Sequence, residues 1–226
     1  MPRRALPAAS VAATILALSL AAPAAAAPAA KHTRTGPQIL TDAIGAMTRA
    51  TSFHVDGHSL IAGTKTSVNL SLSANRGGGT IKENGATLQV VVVKKTTVYV
   101  KADAHSWQVL SGNPAIASRL ANHWVRLPAS TAGMANFVKL TVPAEFIHLV
   151  LPGIIVGFAT KRGVAHWGAR KAVVLNLPTG SQFDVADSGI PYLLHMQGPT
   201  TTTASYTFTD FGDAPLPSVP VNFIPA

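Results

Sequence analysis

Cysteine is absent from this 226-residue chain, and that absence excludes several functions. Without a thiol there is no disulfide scaffold, thiolate nucleophile, thiolate-bound zinc or cysteine-linked lipid anchor. Charged residues are also scarce at 12%, whereas 47% of the residues are apolar. A chain this apolar gains more free energy by burying surface than by remaining solvated. The sequence therefore predicts a folded domain with a large core and excludes disorder as its main state.

Motifs that mark an active site are missing as well. The chain has no Gly-x-Ser-x-Gly elbow, no Gly-Lys-Ser/Thr phosphate loop and no helical pair of histidines beside a glutamate. His54 and His58 share the four-residue spacing, but on a strand they lie about 13 Å apart. Asp184 and Asp187 stand at a strand end, and aromatic residues, at 6%, are too few for a sugar-binding cleft. We predict a protein that is not an enzyme, with no catalytic residues, no metal site and no cofactor.

The N-terminus has the three parts of a secretory signal peptide. Cleavage is expected after Ala27 or Ala29, and Ala29 is preferred because it leaves no proline directly after the cut. The alternative, an uncleaved membrane anchor, needs about 20 consecutive apolar residues, and Pro23 and Pro28 interrupt the run. The basic start, the apolar core and the Ala/Pro segment lie at residues 1–4, 11–20 and 21–30.

The remaining chain divides into a lead-in, one folded domain and a tail. We assign residues 1–29 to the signal peptide, 30–36 to a polar lead-in, 37–214 to the domain and 215–226 to a Pro-rich C-terminal tail. The tail is expected to be extended because three prolines occur within six residues. An exported protein without cysteine must derive its stability from its core alone.

Apolar periodicity predicts a helix followed by strands. Pro37 suits the first turn of a helix, and apolar residues then recur at helical spacing up to Met47. From Ser52 the period changes to two, which indicates strands with one apolar face. Asn84-Gly85 predicts a tight hairpin because both residues tolerate positive φ. Gly77, Gly78 and Gly79 are expected to form a flexible turn.

The middle of the chain interrupts this series of strands. Residues 114–120 predict a short helix, and residues 142–151 predict a second one with Thr141 as its cap. This second helix is apolar almost all round, so it should pack against the sheet. Further strands are predicted at residues 169–177, 182–186, 190–196 and 206–210. The order of elements predicts an α+β domain built on one curved antiparallel sheet.

Eighteen Lys and Arg against nine Asp and Glu give a net charge of +9, which suggests an acidic partner. The basic doublets at residues 94–95, 161–162 and 170–171 are dispersed, and no aromatic-basic motif for RNA accompanies them. The simplest interpretation is a solvated basic surface. The next is weak contact with an anionic membrane surface, worth about 1 kcal/mol for each cation near the lipid. Nucleic acid is excluded as a partner.

Five local phrases, in order along the chain, resemble one known family. They read TSFHV at 51–55, TVYVK at 97–101, NHWVRLP at 122–128, GIPYLL at 189–194 and YTFTDFG at 206–212, with Trp107 after the second. Their order is similar to that of the LppX/LprG-type lipid-carrier lipoproteins of actinobacterial envelopes, within the LolA-like superfamily. The resemblance runs from about Pro37 to Ala214.

The resemblance implies a half-barrel, a strongly curved antiparallel sheet with helices packed on its concave face around an apolar cavity. Such relatives carry the acyl chains of lipids, lipoglycans or lipoproteins between membranes, and some LolA-like members instead regulate or sense the state of the envelope. The relatives carry a lipid-anchoring cysteine at the end of the signal peptide, and this chain has none. A non-acylated protein, free in the cell envelope, in a periplasm-like space or secreted, is therefore expected.

The residues add their own support for a ligand cavity. A strand with valines on both faces and a helix apolar all round present more apolar surface than a two-layer core requires, and the surplus can hold a lipid or another acylated ligand. The alternative for each residue is ordinary core. The break at residues 151–153 is expected to let the apolar segment after it move. Eight residues are predicted to line the cavity: Leu70, Leu72, Val90, Val92, Phe146, Val150, Ile154 and Phe158.

Three functional hypotheses follow. The first is an exported carrier that holds acyl chains and needs no catalytic group. The second is an envelope interaction or sensor protein of the same fold, whose cavity is filled by its own side chains. The third is a hydrolase, which requires a turnover that a single Asp or His substitution abolishes.

Overall fold

A computed structural model describes residues 34–61, 63–151, 154–199 and 203–225. The predicted signal peptide at residues 1–29 lies outside the described residues. So do Pro152 and Gly153 of the predicted break.

The described residues form five α-helices, a 3₁₀ turn and twelve strands. The helices are α1 (Gly36–Arg49), α2 (Ala104–Ser111), α3 (Pro114–Leu120), α4 (Met134–Thr141) and α5 (Pro143–Val150), and the 3₁₀ turn is Val156–Phe158. The strands are β1 (Ser52–Ile61), β2 (Thr64–Ser73), β3 (Arg76–Glu83), β4 (Ala86–Val93), β5 (Thr97–Ala102), β6 (Val125–Pro128), β7 (Thr160–Trp167), β8 (Arg170–Asn176), β9 (Gln182–Ala186), β10 (Leu193–Gln197), β11 (Ser205–Thr209) and β12 (Ile224–Pro225).

All twelve strands pair in one open sheet of order β12-β6-β5-β4-β3-β2-β1-β11-β10-β9-β8-β7. Strand pairs are antiparallel except β12 with β6, which is parallel. The chain returns to the centre of the sheet when β11 pairs with β1. The first and last thirds of the chain therefore share one sheet, and β7 is left at one open edge.

Local sequence accounts for α1 and for the tightest hairpin. Thr35 caps α1 through a reciprocal pair of hydrogen bonds with Gln38, and the apolar face of the helix is buried. Asn84 and Gly85 join β3 to β4 with φ values of 49° and 81°. This is the two-residue hairpin that the Asn-Gly pair predicts.

Three helices cover the concave face of the sheet. α4 packs on strands β2 to β5, α1 packs toward β7, β9 and β10, and α5 lies against both helices. Phe146 of α5 meets Phe53 and Phe208 edge-on, with ring centroids 6.4 Å apart in both pairs. The predicted class is confirmed: an α+β fold with a curved, mainly antiparallel sheet and helices on its concave side.

The three consecutive glycines do not form the predicted turn. Gly77, Gly78 and Gly79 lie inside β3, paired with β4 on one side, and the last two also pair with β2. A Cβ at Gly77 would stand 2.3 Å from the carbonyl oxygen of Thr141, at the end of α4. The glycine run therefore allows α4 to approach the backbone of the sheet closely. The sequence alone does not distinguish this role of glycine from its role in a flexible turn.

Other local predictions were wrong at element ends. Thr141 is the last residue of α4, where its hydroxyl donates to the Phe137 carbonyl at 2.9 Å, so it does not cap α5. Strand β10 begins at Leu193 and not at Ile190, because Pro191 lacks the amide a ladder needs. Five elements were not predicted: α2, α4, the 3₁₀ turn, the exposed edge strand β7 and the short strand β12.

The C-terminal segment returns to the sheet at its far edge. The Ile224 amide donates to the Trp124 carbonyl at 2.8 Å, and β12 extends β6. Phe223 packs edge-on against Tyr99 with centroids 5.5 Å apart, and the Arg126 guanidinium lies over the Phe223 ring. Aromatic and cation–π contacts thus hold the end of this Pro-rich segment against the domain.

Candidate functional site

A cavity of about 580 Å³ lies where several strands of the sheet end. One wall is the concave face of β1, β9, β10 and β11, and the opposite wall is the end of α5 with the segment that follows it. The loop between β8 and β9 forms part of the border. This volume falls within the roughly 300–1,000 Å³ typical of small-molecule sites.

The sheet wall is apolar and continuous. Phe183, Met196 and Tyr206 stand opposite one another on β9, β10 and β11. Directly paired residues in an antiparallel sheet point to the same face, so these three side chains form one row across the cavity floor. Each is at most 3% exposed.

The main polar group in this wall is satisfied internally. The Tyr206 hydroxyl and the Ser59 hydroxyl are hydrogen-bonded at 2.5 Å. Burial raises the pKa of the Tyr206 phenol, with the Ser59 hydrogen bond acting in the opposite direction. The phenol therefore stays neutral at ordinary pH, and none of the described residues that line the cavity carries a formal charge. Such a wall favours hydrocarbon over an ionic ligand.

The helical wall comes from the C-terminal end of α5 and the segment after it. Phe146 and Ile147 point into the core, whereas Leu149 and Val150, one turn later, reach the cavity. Ile155 and Phe158 continue the wall, at 65% and 62% exposure. The cavity is therefore closed by core on the inside and bordered by exposed apolar side chains at its mouth.

The structure brings three of the eight predicted lining residues together: Val150, Ile154 and Phe158 all lie on the cavity wall. Phe146 stands one layer behind it, because its ring meets the Tyr206 ring edge-on with centroids 5.7 Å apart. The remaining four lie in the packed core and are at most 2% exposed: Leu70, Leu72, Val90 and Val92.

The cavity lies at the strand ends, away from the four predicted lining residues that are packed in the core. Ser59, Phe183, Met196 and Tyr206 line it, and none of them was singled out from the sequence. The alternation of apolar and polar residues predicts which face of each strand is buried. It does not predict which end of that face the helices leave uncovered, because this depends on where α4 and α5 pack.

A second polar cluster lies on the opposite, convex face. The His195 ring is 3.2 Å from the Ser205 hydroxyl through Nε2 and 3.8 Å from the Asp184 carboxylate through Nδ1. Trp167 stacks on His195 and donates to Asp184 at 2.8 Å. Gln182 donates to the other carboxylate oxygen at 3.0 Å. Serine, histidine and aspartate thus meet in the order of a hydrolytic triad.

The geometry of this cluster suits structure better than nucleophilic chemistry. The 3.8 Å separation of His195 and Asp184 is too long for the hydrogen bond that orients a general base. Ser205 lies on a strand paired on both sides, so its neighbouring amides are committed to the ladder and cannot stabilise an oxyanion. Side chains alternate along a strand, so Ser205 also points away from the cavity that Tyr206 lines.

The described residues offer neither a metal site nor a membrane-spanning helix. In this part of the chain, no three His, Asp or Glu side chains come together as a metal site requires. No helix within the described ranges has both the length and the apolar character needed to cross a bilayer.

Comparison with known proteins places the fold. The structure matches lipoprotein LppX from Mycobacterium tuberculosis with a TM-score of 0.50 at 12% identity, over 82% of this chain and 97% of that one. It matches LprF from Mycobacterium bovis with a TM-score of 0.54 at 16% identity, over 82% and 95%. The chain has the LppX/LprF fold. The predicted resemblance is confirmed at this level.

The LppX/LprF fold is recognised through three-dimensional structure, since comparison by sequence found nothing. No protein-family model matches the chain, and no curated protein matches it. At identities of 12% and 16%, the shared LppX/LprF fold fixes the position of the sheet and helices but not the identity of a ligand.

Proposed function

We propose that this chain is an exported, non-enzymatic carrier that holds an acyl chain in the cavity between α5 and the sheet. The observation that carries the proposal is an uncharged cavity of about 580 Å³, open at its border, on a fold shared with a lipoprotein. Unlike a lipoprotein anchored through cysteine, this chain offers no thiol for acylation. Its acyl chain is therefore a ligand and not a covalent anchor.

The energetics favour a hydrocarbon ligand. Burying methylene groups contributes about 0.8 kcal/mol each, so a 16-carbon chain gains roughly 13 kcal/mol before the costs of ordering are subtracted. The same figure is the barrier that keeps such a chain from crossing water alone. A protein with a preformed, mainly apolar cavity lowers this barrier without any chemical step.

Filling the cavity tests the proposal directly. Val150→Trp places an indole at the end of α5, on the cavity wall. We expect the affinity for a fluorescent 16-carbon fatty acid to fall at least tenfold, because the side chain occupies the volume the probe needs. Val109→Trp on α2 is the matched control, since Val109 is 44% exposed and is not among the lining residues. Equal probe binding by both variants, or none by the unmodified protein, would contradict the proposal.

The packed middle of the concave face supports a second candidate, an envelope interaction or sensor protein. Leu70, Leu72, Val90 and Val92 fill this region with the protein's own side chains. In this hypothesis, the cavity that remains at the strand ends is too small to hold a lipid. Recovery of a stoichiometric protein partner, together with no uptake of the fatty-acid probe, would favour it.

A further inference from the structure

Three large apolar side chains stand exposed around the cavity mouth. Leu60, Ile155 and Phe158 line the cavity and are 45%, 65% and 62% exposed. We call them the apolar rim. One exposed apolar residue is ordinary on a protein surface, but three around a single opening mark a surface that meets something apolar. Leu60 is the penultimate residue of β1, and the other two belong to the segment before β7, so two separate parts of the chain build the rim.

Two cations follow the rim directly. Lys161 and Arg162 come three and four residues after Phe158, which places them within about 14 Å of it along the chain. Both are exposed on the edge strand β7, and neither forms an ion pair with any carboxylate of the described residues. Their charge is therefore available to an outside partner.

Strand register places one of these cations on the cavity side. Lys161 pairs with Leu175, and Leu175 pairs with Phe183. Phe183 belongs to the row of wall residues, so Lys161 ends that row at the open edge of the sheet. Arg162 occupies the irregular position before Gly163, where the β7–β8 register shifts. Apolar and cationic side chains thus share one border of the cavity.

We propose that the apolar rim and the Lys161–Arg162 pair dock the cavity mouth onto an anionic lipid bilayer. The rim enters the region of the acyl chains while the two cations contact the anionic headgroups. An acyl chain then moves between membrane and cavity without crossing water. This proposal rests on the proposed function for its purpose, but the docking itself is measurable without any ligand in the cavity.

The test is flotation of the protein with vesicles of phosphatidylcholine alone and of phosphatidylcholine with one quarter phosphatidylglycerol. The unmodified protein should float with the anionic vesicles, and raising the salt concentration should weaken the association. Lys161→Gln combined with Arg162→Gln should weaken it about 30-fold, roughly fivefold for each cation. Ile155→Ser combined with Phe158→Ser should weaken binding to both kinds of vesicle.

Two controls match these variants in charge and in polarity. Lys94→Gln combined with Lys95→Gln removes the same charge just after the end of β4. The first residue of β4, Ala86, is aligned through β3 and β2 with the cavity end of the sheet. The two lysines follow the other end of β4, about 23 Å from Ala86 along the strand. Val221→Ser exchanges a side chain that is 87% exposed and is not part of the rim. Both control variants should bind vesicles like the unmodified protein.

The outcomes separate this proposal from the proposed function. If the unmodified protein binds the fatty-acid probe in solution but no vesicles, docking is wrong and the rim is left to a protein partner. If the unmodified protein binds vesicles, but the Lys161/Arg162 and Lys94/Lys95 variants lose equal amounts of this binding, the association is unspecific and the proposal also fails. If vesicle binding depends on the rim while the probe is never bound, docking stands and the carrier function falls.

Discussion

The structure predicts that the contribution of His195 to the free energy of unfolding depends on pH. Burial lowers the pKa of its imidazole below the ordinary value of 6.5, and the Asp184 carboxylate offsets this only in part. The unfolded chain therefore binds a proton on His195 at a higher pH than the folded chain does. The free energy of unfolding contributed by this site is retained above pH 6.5 and falls as the pH drops through 6.5 toward the folded-state pKa.

Substitution of His195 isolates this contribution. In urea unfolding followed between pH 5 and 8, His195→Gln should show a shallower fall of unfolding free energy below pH 6.5 than the unmodified protein. His123→Gln, at an exposed position, is the control and should keep the original slope. The readout is the slope and not the absolute stability, which either variant can change. An unchanged slope in His195→Gln would show that the cluster with Ser205 and Trp167 does not titrate.

At the scale of elements, the close contact between α4 and β3 requires a residue without a Cβ at position 77. Gly77→Ala places a methyl group 2.3 Å from the Thr141 carbonyl oxygen, a backbone atom that cannot rotate away. We expect a loss of about 1–3 kcal/mol in the free energy of unfolding, the range found for overpacked sites. The measurement is urea denaturation. A loss below 0.5 kcal/mol would mean that α4 does not approach the sheet this closely.

Gly163→Ala is the matched control for that substitution. Gly163 also lies on a strand, but nothing stands within 4 Å of the position of its Cβ. Its φ is not in the left-handed region, so alanine is tolerated there without strain. This variant should be as stable as the unmodified protein, or slightly more stable because the unfolded chain loses conformational freedom.

The elements also show how far sequence reasoning reaches. Alternating patterns after Ser52 predicted the first strands, and the Asn84-Gly85 pair predicted the turn between β3 and β4, because local physics determines both features. The glycine run was misread because the reason for it, the backbone of α4, lies more than sixty residues away. Strand β7 was missed because it is mostly exposed and shows no apolar alternation. Sequence patterns therefore did not predict the long-range contact of the glycine run or the exposed strand at the edge of the sheet.

At the scale of the whole molecule, the candidate site was only partly predictable. Residues that follow α5, such as Ile154 and Phe158, could be found because an apolar run after a helix needs a place to pack. Phe183 and Met196 could not, since they look like core residues until the extent of the helical cover is known. The register that aligns Lys161 with the cavity wall depends likewise on the completed sheet.

The central claim concerns the whole molecule: the cavity between α5 and the sheet holds a hydrocarbon chain supplied from outside. The most direct measurement is mass spectrometry of the intact protein purified from its native host, followed by extraction with organic solvent. The account predicts a population heavier than the polypeptide by the mass of a lipid that the solvent removes, with this population reduced in Val150→Trp and retained in Val109→Trp. Repeated preparations that carry no lipid, from a protein that also takes up no fatty-acid probe, would contradict it.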